Sequence, residues 1–158
     1  MRLTEEFFAR PSMDVARDLV GRHLVRHVGD RRYVAMITET GAYEGGTRRK
    51  LQCAPGDIYV AIFRGGYETL CIGTDAEGKA SVATIRKAYP IEGTDANLLG
   101  SGRLARALHI NKGELEDTSI NGPTLYIEGD AIDLSRILTV SPTMEKMAEN
   151  CLGYYRIS

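Results

Sequence analysis

Two runs rich in β-branched residues flank Gly29-Asp30, and this pattern constrains the fold more than any other stretch of the chain. His23-Leu24-Val25-Arg26-His27-Val28 reads as a strand, Gly29-Asp30 as a tight turn, and Arg31 to Tyr43 as a long returning strand. Pro55-Gly56-Asp57 then breaks the chain before a second pair. Ile58 to Phe63 and Tyr67 to Thr74 flank Arg64-Gly65-Gly66, whose glycines mark a hairpin tip. Asp75-Ala76-Glu77-Gly78 is a further turn, leading into a strand from Ser81 to Ala88, and Thr124 to Glu128 reads as a weaker strand. Hairpins dominate, so the expected class is α+β, as one domain over residues 1–158.

Helical signals are short. Thr4 followed by Glu5 and Glu6 predicts a turn of helix carrying Phe7 and Phe8, ended by Pro11. Ser12 is suited to cap a second helix, with Asp14 in its first turn, Val15, Ala16 and Leu19 on one face, and Gly21 closing it. Gly100-Ser101-Gly102 opens a third, with Leu104, Ala107 and Leu108 inward. Ser141-Pro142 predicts a fourth, because Met144, Met147, Ala148 and Cys151 recur at helical spacing before Gly153. That methionine stripe is read as core.

Composition excludes several classes. At 158 residues, with 43% hydrophobic and 26% charged, the chain can bury a core without disulfides or metal. No apolar run reaches membrane-spanning length, and the N-terminus has acids where a signal peptide needs a basic region, which points to the cytoplasm or nucleoid or, in a eukaryotic host, the nucleus. Cys53, Cys71 and Cys151 are odd in number and form no Cys-x-x-Cys pair, so free thiols are expected. His23, His27 and His109 lack metal-ligand spacing, and neither metal nor cofactor is expected. Net charge is −1, yet basic residues gather at Arg22 to His27, Arg31-Arg32, Arg48-Arg49-Lys50, Arg86-Lys87 and Arg103-Arg106. Such clustering allows a one-sided basic face on an otherwise near-neutral protein; scattered solvated charge is the plain alternative.

The stretch Ile37-Thr38-Glu39-Thr40-Gly41-Ala42-Tyr43-Glu44-Gly45 resembles the active-site strand of the alkyladenine (3-methyladenine) DNA glycosylase family, whose pattern runs Glu-Thr-Glu-Ala-Tyr. The resemblance extends in order through Glu6 to Pro11, Val15 to Gly21, Pro55-Gly56, Ile58 to Val60, Ile85-Arg86, Pro90 to Gly93 and Gly100 to Leu108. It implies a curved antiparallel sheet with flanking short helices. It also implies a basic surface that grips double-stranded DNA as a monomer and a pocket into which a damaged nucleotide is flipped, because a stacked base hides its N-glycosidic bond.

Residue by residue, the implied pocket is altered. Tyr43 matches the tyrosine that stacks on the flipped base, but Gly41 stands where the family has its general base. No histidine occurs among the 11 residues between Tyr43 and Pro55, where the family has one. Ala61 stands for a second stacking tyrosine, Arg64 for the intercalating one, and Cys71 for an asparagine that discriminates among bases. Residues usual in the family between Gly93 and Leu99 are missing. Glu39, on the same strand face as positions 41 and 43, is the candidate replacement base, against a structural ion pair; Glu68 beside the hairpin tip is a second candidate. Gly100, Ser101, Gly102 and Arg103 offer a phosphate site at a helix start, and Arg86 matches a basic position near DNA. Three functions follow: excision of alkylated purines, lesion binding without catalysis, or binding of a nucleobase-like ligand or a protein.

Overall fold

The computed structural model describes residues 1–45, 54–62, 66–76, 80–144 and 150–158. Its strands are β1 (His23–Val28), β2 (Arg31–Glu44), β3 (Ile58–Ile62), β4 (Glu68–Gly73), β5 (Ser81–Glu92), β6 (Leu125–Glu128), β7 (Ile137–Val140) and β8 (Cys151–Ile157). The helices are α1 (Glu5–Phe8), α2 (Ser12–Leu19), α3 (Ser101–Ala107) and α4 (Lys112–Leu115). All strand pairs are antiparallel, in the order β3-β4-β5-β2-β1-β6, with β8 on β2 and β7 on β8. This is the α+β domain with a curved antiparallel sheet that the sequence leads one to expect.

β2 organises the sheet. One edge pairs with β5 from Val34 to Glu44. The other edge is shared: β1 takes Arg31 to Met36, and β8 takes Glu39 to Tyr43. On one face, α2 presses Val15, Ala16 and Leu19 against β2, β5 and β8. Small residues at Ala35, Ala42 and Ala83 allow that approach, and Thr40 ties the layers by donating Oγ1 to the Ala16 carbonyl. Ile37, Ile85, Leu70 and Ile72 complete the interior. Each such side chain contributes about 1.5–3 kcal/mol on burial.

Four local expectations differ from what is observed. The chain from Ser141 does not form a helix through Cys151. Residues 142–144 are turn, Met144 is 71% exposed, and Cys151 opens β8. Cys151, Gly153 and Tyr155 are buried in alternation, a period of two that favours pairing with β2 over a helical stripe. Met147 and Ala148 lie outside the described residues. Ser12 does not cap α2: Pro11 holds that position, and the Ser12 hydroxyl is buried without a hydrogen-bond partner among the described residues. β5 runs on through Pro90 to Glu92, because Ile91 is looped out between Ala35 and Val34 and relieves the ladder where proline lacks an N–H. α4, β7 and a 3-10 turn at Leu134–Arg136 carry no signal that sequence reasoning used.

One buried charge locks the far end of the sheet. Arg26 in β1 is fully buried and donates to the carbonyls of Leu108 (3.2 Å), His109 (2.9 Å) and Thr124 (3.4 Å) and to Glu114 Oε2 (2.8 Å). It thus pins α3's C-terminal end and the segment before β6 onto β1. Arg26→Met leaves several carbonyls without a donor, at about 1–3 kcal/mol each when buried. Urea denaturation is expected to show Arg26→Met losing at least about 3 kcal/mol, while Glu114→Gln, which spares the carbonyl bonds, loses about 1 kcal/mol.

Candidate active site and nucleic-acid interface

The face of the sheet opposite α2 carries the residues that sequence reasoning singled out. Tyr59, Cys71, Thr84, Gly41 and Tyr154 lie directly opposite one another on β3, β4, β5, β2 and β8, forming a single cross-strand row. Side chains in such a row share a face. Tyr43 stands two residues from Gly41 on that face, and Ala61 with Thr69 forms the neighbouring row. The structure therefore places Glu39, Gly41, Tyr43, Ala61 and Cys71 on one face of the sheet, with Ala61 and Cys71 two or three strands away from β2. Cys71 is buried, with its Sγ 3.8 Å from the Thr69 carbonyl, and Ala61 is also buried.

Gly41 is where the site departs most from its expected chemistry. A Cβ there would lie 2.8 Å from Thr84 Oγ1, 3.0 Å from Tyr43 Cε1 and 3.2 Å from Tyr154 Cδ1. Two aromatic rings and a threonine fill the space into which a side chain would project. Thr84 Oγ1 is itself buried with no hydrogen-bond partner among the described residues. Burial, together with a hydrogen bond to Tyr154, pushes the Tyr43 phenol above its ordinary pKa and keeps it protonated.

Glu39 is buried and committed to cations. Its Oε2 accepts from Arg86 Nε at 2.9 Å, and its Oε1 lies 3.6 Å from Lys87 Nζ. Two offsetting bulges produce this. Ile37 faces Ala88, Glu39 faces Lys87 and Thr40 faces Ile85, so Thr38 is looped out of β2 and Arg86 out of β5. Consecutive residues 86 and 87 then both reach one carboxylate, which an unbroken strand forbids. Burial works against the Arg86 charge, but the Glu39 hydrogen bond together with the Coulombic influence of Tyr154, Tyr43 and Glu39 outweighs it, and the guanidinium's pKa lies above its ordinary value. The same guanidinium lies 3.7 Å above the Tyr154 ring, joining the ion pair to the tyrosines.

Glu68 is not part of this group. Its Oε2 accepts from the Lys112 backbone N–H at 2.5 Å, at the start of α4, and it alternates with Thr69 away from the shared face. Arg64 lies outside the described residues.

Beside Arg86 opens a cleft of about 510 Å³, lined by Tyr67, Arg86, Lys87, Ser101, Arg103 and Arg106, with Gly100 and Gly102 in its wall. Thr69 Oγ1 donates to Ser101 Oγ at 3.2 Å and fixes the start of α3 over the sheet. Gly102 is demanded by packing: a Cβ there would sit 2.8 Å from the Tyr67 ring. Four cationic side chains thus converge on one opening. Glu39 neutralises part of that charge, and the remainder suits a phosphate backbone. Among the described residues, no cluster of three or more His, Cys, Asp or Glu is placed to hold a metal ion. No described helix is long and apolar enough to cross a membrane.

Sequence reasoning missed Tyr154, Thr84, Tyr67 and, as site residues, Lys87 and Arg106. For Tyr154 a signal existed in the two-residue burial period of β8; Lys87 and Arg106 were visible only as charge.

Gly41→Ala is expected to destabilise the chain by about 1–3 kcal/mol, since three neighbours must shift. In a Thr84→Ala background, which removes the nearest of them, the penalty should be visibly smaller. Urea midpoints of the four proteins in this cycle measure both effects, and an equal penalty in both backgrounds would show that Thr84 is not the obstacle.

Comparison with known proteins agrees with this geometry. The family model described as methylpurine-DNA glycosylase matches residues 6–142. A protein of Anaeromyxobacter sp. (strain Fw109-5), described as "Putative 3-methyladenine DNA glycosylase", is 35% identical over 141 residues, covering 81% of this chain and 73% of the relative. Proteins of the same description from Chlorobium phaeobacteroides (strain BS1) and Alkaliphilus oremlandii (strain OhILAs) are 32% and 27% identical, covering 80% and 98% of this chain and 76% and 93% of their own lengths. Tyr154 lies beyond the segment that the family model matches, although it packs against the centre of the site. The chain belongs to the methylpurine-DNA glycosylase family.

Proposed function

We propose that this protein binds damaged duplex DNA through the Arg86–Lys87–Arg103–Arg106 cleft, as a family member whose hydrolysis of the N-glycosidic bond is strongly reduced. The supporting observation is the pairing of Glu39. It is the one carboxylate on the site face near Tyr43 among the described residues, and both of its oxygens lie beside cations. A carboxylate whose two oxygens are taken up by cations is not free to orient a water for attack, and position 41 offers no other. The loss of a positioned base removes about 10²–10⁴ in rate. Tyr43 retains the stacking role implied by the family, with the protonated phenol and the Tyr154 ring forming an aromatic wall for a flipped base.

Binding needs none of this proton chemistry. Arginine forks match phosphate oxygens bidentately, and four cations in one cleft release counterions from a duplex. The expected result is duplex affinity that falls steeply with salt, measured by fluorescence anisotropy, with Arg103→Ala and Arg106→Ala each lowering the slope of log K against log salt by about 1. Release of free base from methylated DNA should stay near the uncatalysed background. Salt-independent or absent binding would remove the DNA reading; brisk base release would instead make the protein an active glycosylase.

A further inference from the structure

We propose that Lys87 is a nucleophile toward the aldehyde of an abasic deoxyribose, giving this protein a Schiff-base lyase activity on duplex DNA that carries an abasic site. The inference rests on the DNA-binding reading and adds a reaction to it.

The cleft contains one cation unlike the rest. Arg86, Arg103 and Arg106 carry guanidinium groups that stay protonated and do not add to carbonyls, whereas a lysine amine does. The Lys87 side chain is 42% exposed in that cleft, with Nζ 3.6 Å from Glu39 Oε1. Backbone register enforces this pairing, because the bulge at Arg86 sets Lys87 directly opposite Glu39. Lys112, the other lysine among the described residues, sits on α4 with Nζ 3.8 Å from Glu116. Among the residues that line this cleft, Lys87 carries the one side-chain amine.

The chemistry balances without oxidant or reductant. The nitrogen lone pair of the unprotonated Lys87 amine adds to C1′ of the ring-opened sugar, and loss of water leaves a protonated imine. That cation acidifies the C2′–H bond. The proton passes to solvent, the bonding pair becomes the C2′–C3′ double bond, and the C3′–O bond breaks with its electrons leaving on the 3′ phosphate. Water then hydrolyses the imine, freeing the Lys87 amine and an unsaturated aldehyde. The arginines hold the flanking phosphates and stabilise the departing one.

The test uses the full chain and a labelled duplex with a single abasic site, with and without sodium borohydride. Borohydride is expected to fix one covalent protein–DNA adduct, and peptide mapping of the wild-type adduct should place the reduced sugar on Lys87. Without borohydride, strand scission should appear. Lys87→Ala and Lys87→Arg should lose both adduct and scission, whereas Lys112→Ala should keep them. An adduct mapped to another lysine or to the N-terminal amine, or trapping undiminished in Lys87→Ala, would overturn the proposal. Salt-dependent binding with no adduct would overturn the lyase alone; absence of both would overturn the DNA-binding reading with it.

Discussion

Backbone pairing along β2 is the constraint on which the rest of the structure depends. Its 14 residues carry β5 on one edge and divide the other between β1 and β8. That division places three strands around residues 39–43, so side chains from β2, β5 and β8 can meet over one short stretch of main chain. The α2 layer closes the reverse face through the residues that alternate with them, Thr40 and Ala42. A site built on paired strands is held more rigidly than one built on loops, because moving any member means shearing a ladder.

Within that frame, the missing side chain at Gly41 is compensated by packing rather than left as empty space. Tyr43 and Tyr154 close over the glycine, Arg86 covers Tyr154, and Glu39 anchors Arg86. The elements form a chain of contacts in which a carboxylate that would serve chemistry in isolation serves structure instead. Restoring a glutamate at position 41 would therefore require more than the substitution itself. The rings and the threonine would have to withdraw, and the buried ion pair would have to accommodate a second negative charge nearby, at a cost of several kcal/mol.

Much of the architecture was legible in the sequence, and the reasons are specific. Gly29-Asp30 and the β-branched runs beside it define their hairpin through local turn geometry, and Pro55-Gly56-Asp57 marks the break from which the second pair starts. Family resemblance rested on the strand around Glu39 and Tyr43, where side chains touching one ligand recur on one face. What was not legible depended on register. The offsetting bulges at Thr38 and Arg86 have no local composition that announces them, yet they decide that Lys87 joins Glu39. β8 was obscured because methionine, alanine and cysteine at 144, 147, 148 and 151 imitate a helical stripe, while Gly153-Tyr154-Tyr155 pairs by a two-residue rule that only its partner strand reveals. Gly102 was read as an opening for phosphate, whereas the Tyr67 ring is what occupies the space above it.

The pairing of Tyr43 with Cys151 and of Glu39 with Arg156 joins segments about a hundred residues apart in sequence. Contacts that distant are entropically slow to form and tend to close late in folding. Without β8, residues 39–43 would present an unpaired edge to any stray strand in the vicinity. Maturation of the tyrosine cluster and protection from misassembly are thus one event, completed by the same docking step.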